Sequence, residues 1–158
     1  MTPKSYLLIL SLIHVAMLLG ILIFGAITYF QGGELITGFN GDGDIFMYVV
    51  PLLAMVSYFG GDFMFNKVLT SMDAKSSLKQ KLNQYSQASI IRFAVLEGAS
   101  FIGLFAYRLN NNIFYLVISV VLILYLLKLR PTKDKIARDL RLSKTDQEHF
   151  NQDKKELQ

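Results

Sequence analysis

A carboxylate stands in the middle of an apolar run. Residues 87–109 (QASIIRFAVLEGASFIGLFAYRL) are long enough to cross a bilayer, yet they carry Arg92 near one end, Glu97 at the centre and Arg108 near the other. A charged side chain at the bilayer centre costs ~3 kcal/mol on insertion scales, so it is kept with a partner or for a role. Glu97 therefore heads the residues that could do chemistry, as a site that takes up and releases a proton or a cation.

His14 is the one ionisable residue of another apolar run, 6–30. Counted from residues 6 and 87 at 1.5 Å per residue, His14 and Glu97 fall at depths of ~12 and ~15 Å. A His–Glu pair at one depth would lower the cost of both and could carry a titratable proton. The structural alternative is a protonated Glu97 making one interhelical hydrogen bond, with His14 a hydrogen-bonded packing residue. Asp62 and Arg92 are candidates for a buried ion pair between consecutive antiparallel helices, with a gate or substrate clamp as the second reading. Arg92 and Glu97 are about 140° apart around a helix and do not face each other. Arg108 can snorkel to the headgroups.

Four apolar stretches must position these groups, at 6–30, 45–64, 87–109 and 113–129. A helix over 6–30 spans ~37 Å and crosses a ~30 Å hydrocarbon core with some tilt. Its apolar part is too long for a signal-peptide core and no A-x-A-like site follows, so it is expected to stay uncleaved. The chain is 53% hydrophobic with a net charge of +4, and the charge falls between and after the apolar blocks. That segregation predicts an all-α, polytopic membrane protein with a bundle over 1–129 and a basic tail over 130–158. The three asparagines 110–112 can join only antiparallel neighbours. The polar stretch 65–86 is expected to hold a short helical extension.

Lys4, the loop with Lys67, Lys75, Lys79 and Lys81, and the residues after Leu127 hold 14 of the 16 Lys and Arg residues. The positive-inside rule then predicts four spans with both termini cytoplasmic. In the tail, 131–141 opens on proline and pairs Asp134 with Arg138 and Lys135 with Asp139 at i,i+4. Ile136 and Leu140 share a face, so this short amphipathic helix can lie on a lipid surface. Ser143–Asp146 is a capping box that starts a second helix, and 151–158 should fray. Lys128, Arg130, Lys133, Lys135, Arg138 and Arg141 would face anionic lipid or a protein partner, or simply solvent.

Small residues four apart, Ala16/Gly20, Ser57/Gly61, Ala94/Gly98 and Ala99/Gly103, allow close helix approach in lipid. The fourth helix has neither Gly nor Ala and is expected to be peripheral and largely lipid-facing.

Several classes are excluded or disfavoured. With no cysteine, disulfides, thiolate metal sites and thiol catalysis are out. Residues 40–44 (NGDGD) place oxygens at positions 1, 3 and 5 of a loop, but Ile45 and Pro51 occupy the places of the Gly and bidentate Glu of a calcium loop. They read as a flexible turn, and no metal or cofactor is expected. The basic charge is distributed as a topology signal, so no nucleic-acid partner is implied. No nucleophile–base pair or phosphate loop points to an enzyme.

The stretch 94–107 (AVLEGASFIGLFAY) resembles the carboxylate-bearing helix of the proteolipid subunit of rotary ATP synthases. Glu97 matches its carboxylate, Gly98-Ala99 the small residues after it, and Ile102-Gly103-Leu104 the aliphatic run. The likeness implies a proton- or cation-handling role for Glu97. The whole chain also resembles small uncharacterised four-helix bacterial membrane proteins that end in P-T-K-x-K-I-x-x-D-L-x-L-S, as 131–143 does. That likeness implies a bacterial cytoplasmic membrane and brings no activity. Two roles stay open: a non-enzymatic structural or accessory subunit, within a homo-oligomer or larger membrane complex, and a proton- or cation-handling component centred on Glu97.

Overall fold

Thr2 and Pro3 start the first helix, because proline suits the first helical position and the Thr2 hydroxyl accepts the N–H of Ser5 at 3.2 Å. In the computed structural model this helix, α1, runs Pro3–Phe30. The structure describes residues 2–38, 43–73 and 76–152. Residues 40–42 of the expected flexible turn, Lys75 and residues 153–158, most of the stretch expected to fray, lie outside them.

Helix α2 (Phe46–Thr70) carries Pro51 in its body and a π turn at Val56–Gly60. A π turn holds one extra residue and shifts the phase of everything after it by about 100°. Ser57 and Gly61 are both buried, and a Cβ on Gly61 would touch Arg92 Cγ at 3.4 Å. Helix α3 (Leu78–Asn110) begins nine residues before the expected span. Its start is a capping box in which Ser77 and Gln80 satisfy each other's backbone N–H, at 3.3 and 3.0 Å. The helical extension of the polar stretch is thus continuous with the third apolar run.

Asn111 turns the chain with φ +51, a left-handed conformation that asparagine tolerates, and Asn112 caps α4 (Ile113–Lys128) through Phe114 N–H. The segment after α1 is tied to this turn. Ile36 and the Asn111–Ile113 backbone exchange hydrogen bonds of 2.9 and 3.1 Å, and Gly33 N–H reaches Asn111 Oδ1 at 3.0 Å. Asp44 accepts from Phe46 N–H and from the Tyr115 hydroxyl, which fastens the start of α2 to α4.

Helix α3 is the axis of the bundle and touches α1, α2 and α4. Its contact with α4 is the tightest, because Gly103 lies against Ser119 so closely that a Cβ there would run into Ser119 Oγ. Helix α4 is therefore not merely peripheral. Tyr115, Ser119, Leu122 and Leu126 form a buried stripe at helical spacing, while Val117, Val120, Val121, Leu124 and Leu127 are exposed.

Large apolar side chains also stand exposed on α1 and α2, among them Leu12, Leu22, Ile23, Leu52 and Phe59. An apolar surface this extensive needs an apolar surrounding. Helices α1, α2 and α3 are each long and apolar enough to cross a membrane. The sixteen residues of α4 reach that length only together with α5 (Lys133–Asp139), from which α4 is bent by 88°.

The tail differs from the lipid-surface helix expected of it. Ile136, Leu142 and Phe150 are buried in one apolar cluster with Phe65, Leu82, Tyr85, Leu126 and Leu129. Helices α5 and α6 (Lys144–Asn151) fold back under the ends of α2, α3 and α4. Apolar side chains that would have met lipid find a drier and better-packed site against the projecting start of α3. Tyr85 donates to Asp139 at 3.2 Å, and Lys81 reaches Asp146 at 3.4 Å. The core is continuous from the bundle into the tail.

Candidate functional site

The sequence candidates fall into two groups, one at the tail end of the bundle and one halfway along it. At the tail end, α2 supplies Asp62, α3 supplies Arg92 and α4 supplies Tyr125. Arg92 Nη2 forms an ion pair with Asp62 Oδ1 and donates to the Tyr125 hydroxyl at 2.6 Å. That hydroxyl donates in turn to both Asp62 oxygens at 2.8 Å. Three helices thus share one hydrogen-bonded knot in which the charges cancel.

Arg92 is the more enclosed partner, with a side chain 12% exposed against 34% for Asp62. Its guanidinium lies 5.0 Å from the centre of the Phe65 ring and 5.7 Å from that of Tyr125, and Nε is buried without a hydrogen-bond partner among the described residues. Tyr125 was not foreseen from the sequence. Its signal was a phenol within an apolar helix, a group that needs a polar partner when buried.

Lys135 of α5 approaches the same knot half-buried. Burial first, and the Arg92 charge second, hold its pKa below that of an ordinary lysine. Of the other basic tail residues named as a docking set, Lys128, Arg130, Arg138 and Arg141 are exposed and Lys133 is half-buried. Between α2, the start of α3 and the tail lies a polar cleft of about 690 Å³, lined by Thr70, Lys81, Asp139, Arg141 and Asp146 among others.

His14 is fully buried and bonds to the carbonyl of Leu126 at 2.8 Å. A carbonyl only accepts, so the hydrogen sits on Nε2, and the imidazole adds a second bond to a carbonyl in the last turn of α4 that already accepts Leu129 N–H at 3.0 Å. Nδ1 is buried with no hydrogen-bond partner among the described residues, and the ring meets Phe93 edge-on at 4.8 Å.

The expected His14–Glu97 pair is not made. Glu97 Oε1 stands 3.8 Å from where a Cβ on Gly20 would lie. Gly20 is six residues past His14, about 9 Å further along α1. The depth count took residues 6 and 87 as level, whereas the Tyr6 hydroxyl donates to the carbonyl of Leu82. Helix α3 starts deeper on the tail side than its apolar run suggests, and that offset separates the two groups.

Glu97 is half-buried and has no hydrogen-bond or ion-pair partner among the described residues. Around it the small residues divide. Ser57/Gly61 and Ala99/Gly103 are buried in helix contacts, whereas Ala16/Gly20 and Ala94/Gly98 are not. No protein-family model matches the chain, and no curated protein or solved structure does either.

Proposed function

We propose that the chain is a four-span membrane protein with both termini on the cytoplasmic side of a bacterial cytoplasmic membrane, acting as a non-enzymatic structural or accessory subunit. Three lines support the orientation. The basic residues gather in Lys4, the α2–α3 connection and the tail, the segment between α1 and α2 has none, and exposed Lys128, Arg130, Arg138 and Arg141 suit an anionic lipid surface or an acidic partner. The observation that carries the accessory role is the knot of Asp62, Arg92 and Tyr125, with His14 on the end of α4. These polar groups are consumed in fastening helices together.

The second reading, proton or cation handling, is favoured by Glu97, which enters no such fastening, and by the likeness of 94–107 to a proton-carrying helix. Two measurements test the proposal. Unique cysteines at Glu34 should react with an impermeant reagent from outside the cell and those at Asn83 and Glu148 should not; the reverse pattern overturns the orientation. In proteoliposomes the wild type and Glu97→Gln should show the same low proton leak. A conductance that Glu97→Gln abolishes replaces the accessory role with the second reading.

A further inference from the structure

Glu97 sits in a notch on the side of the α1–α3 pair. Gly20 forms one wall beside its carboxyl, and Ala94 and Gly98 lie along α3 on the exposed side, where a Cβ on Gly98 would meet nothing within 4 Å. One turn further on, the rings of Phe24 of α1 and Phe101 of α3 meet at a 49° tilt, centroids 5.2 Å apart, and close the notch at that end. The carboxyl therefore has no partner among the described residues of its own chain, and at this level a lipid tail offers it none.

We infer that a second copy of the chain covers this face, packed about a two-fold axis along the membrane normal, with the two Glu97 carboxyls hydrogen-bonded to each other across the axis. A neutral carboxyl is donor and acceptor at once, so its complement is another carboxyl. A two-fold axis in that direction sets residue 97 of both copies at one depth whatever the helix tilt, and makes the interface self-complementary. A different protein would have to bring a matching polar group to the same level. The exposed pairs Ala16/Gly20 and Ala94/Gly98 then do between copies what Ser57/Gly61 and Ala99/Gly103 do within one. The site is incomplete without the second copy, which contributes its own Glu97. This inference rests on the membrane-spanning reading above.

The test uses the full chain, purified and reconstituted in lipid. Because the protein has no cysteine, Gly98→Cys introduces a single thiol. Mild oxidation should link it into dimers, whereas Val121→Cys, on the exposed face of α4, should stay monomeric. Gly98→Leu meets open space within its own chain, so its melting temperature should hold while the dimer fraction read by energy transfer falls at least tenfold. Glu97→Leu should weaken the dimer similarly, and Glu97→Gln, whose amide can still pair, should retain it. A monomer at every protein-to-lipid ratio, cross-linking at Val121 instead of Gly98, a larger ring, or a foreign protein held at Gly98 in place of the second copy would each overturn the inference. A monomer with the expected cysteine labelling would sink the dimer alone; reversed labelling would sink the topology.

Discussion

The hydroxyl of Tyr125 donates to both carboxylate oxygens of Asp62 at 2.8 Å, so α4 holds the acid that α2 presents to Arg92 of α3. Three helices depend on one oxygen. Removing any member leaves the others short of a partner in a low-dielectric site, where truncating one side of a buried ion pair costs about 3–5 kcal/mol.

Arg92→Gln should accordingly lower the thermal stability of the purified protein by an amount near the low end of that range. Asp62→Asn should cost more, because it leaves Arg92, the more enclosed charge, without its partner. Tyr125→Phe should cost about 1.5–3 kcal/mol, since it removes a hydroxyl bonded to two charged groups. Exchanging Asp62 and Arg92 should recover part of the loss. Single variants that melt like the wild type would show that the knot contributes nothing.

Gly103 and Gly98 make a matched pair of tests. Gly103→Ala drives a methyl into Ser119 Oγ and should destabilise by about 1–3 kcal/mol through overpacking. Adding Ser119→Ala should relieve part of it. Gly98→Ala should leave the melting temperature of the single chain unchanged. Equal effects at both positions would contradict the α3–α4 contact.

The docked tail predicts a measurable core contribution. Ile136→Ala and Phe150→Ala remove fully buried side chains and should cost about 2–5 kcal/mol each. The arginine and lysine bonds of α5 and α6 should become accessible to trypsin at the same time. A tail that lies on lipid would show neither change.

Lys135 gives a pH signature. Its folded pKa is depressed, so between the folded and unfolded values the unfolded chain binds more protons, and stability rises with pH across that window. Lys135→Met removes the penalty. The variant should melt higher than the wild type below the window, and the gap should close as pH climbs towards the ordinary lysine range. A pH-independent gap would show that neither burial nor the Arg92 charge lowers the pKa of Lys135.

Local pattern carried much of this architecture. Apolar runs separated by polar loops, the Asn110–Asn112 turn and the Ser143 cap each depend on a few neighbouring residues, and the helices appear where those signals stand, whereas α5 starts two residues after the expected Pro131 opener, with Thr132 as its cap. The all-helical fold and the apolar helices of membrane-crossing length were legible for that reason. The Ser77–Gln80 capping box was equally local, and it marks the true start of α3.

Packing between distant segments decided the rest. The level of α1 against α3 follows from where α3 begins and how Tyr6 meets Leu82, and that offset parts His14 from Glu97. Tyr125 joins Asp62 and Arg92 only because α4 lies across both. The tail abandons a lipid-surface course because Ile136, Leu142 and Phe150 find a shared core under the bundle. Nor does spacing distinguish Ala99/Gly103 from Ala94/Gly98: burial depends on which side of α3 the neighbouring helices occupy, a property of the assembled bundle that no single helix encodes.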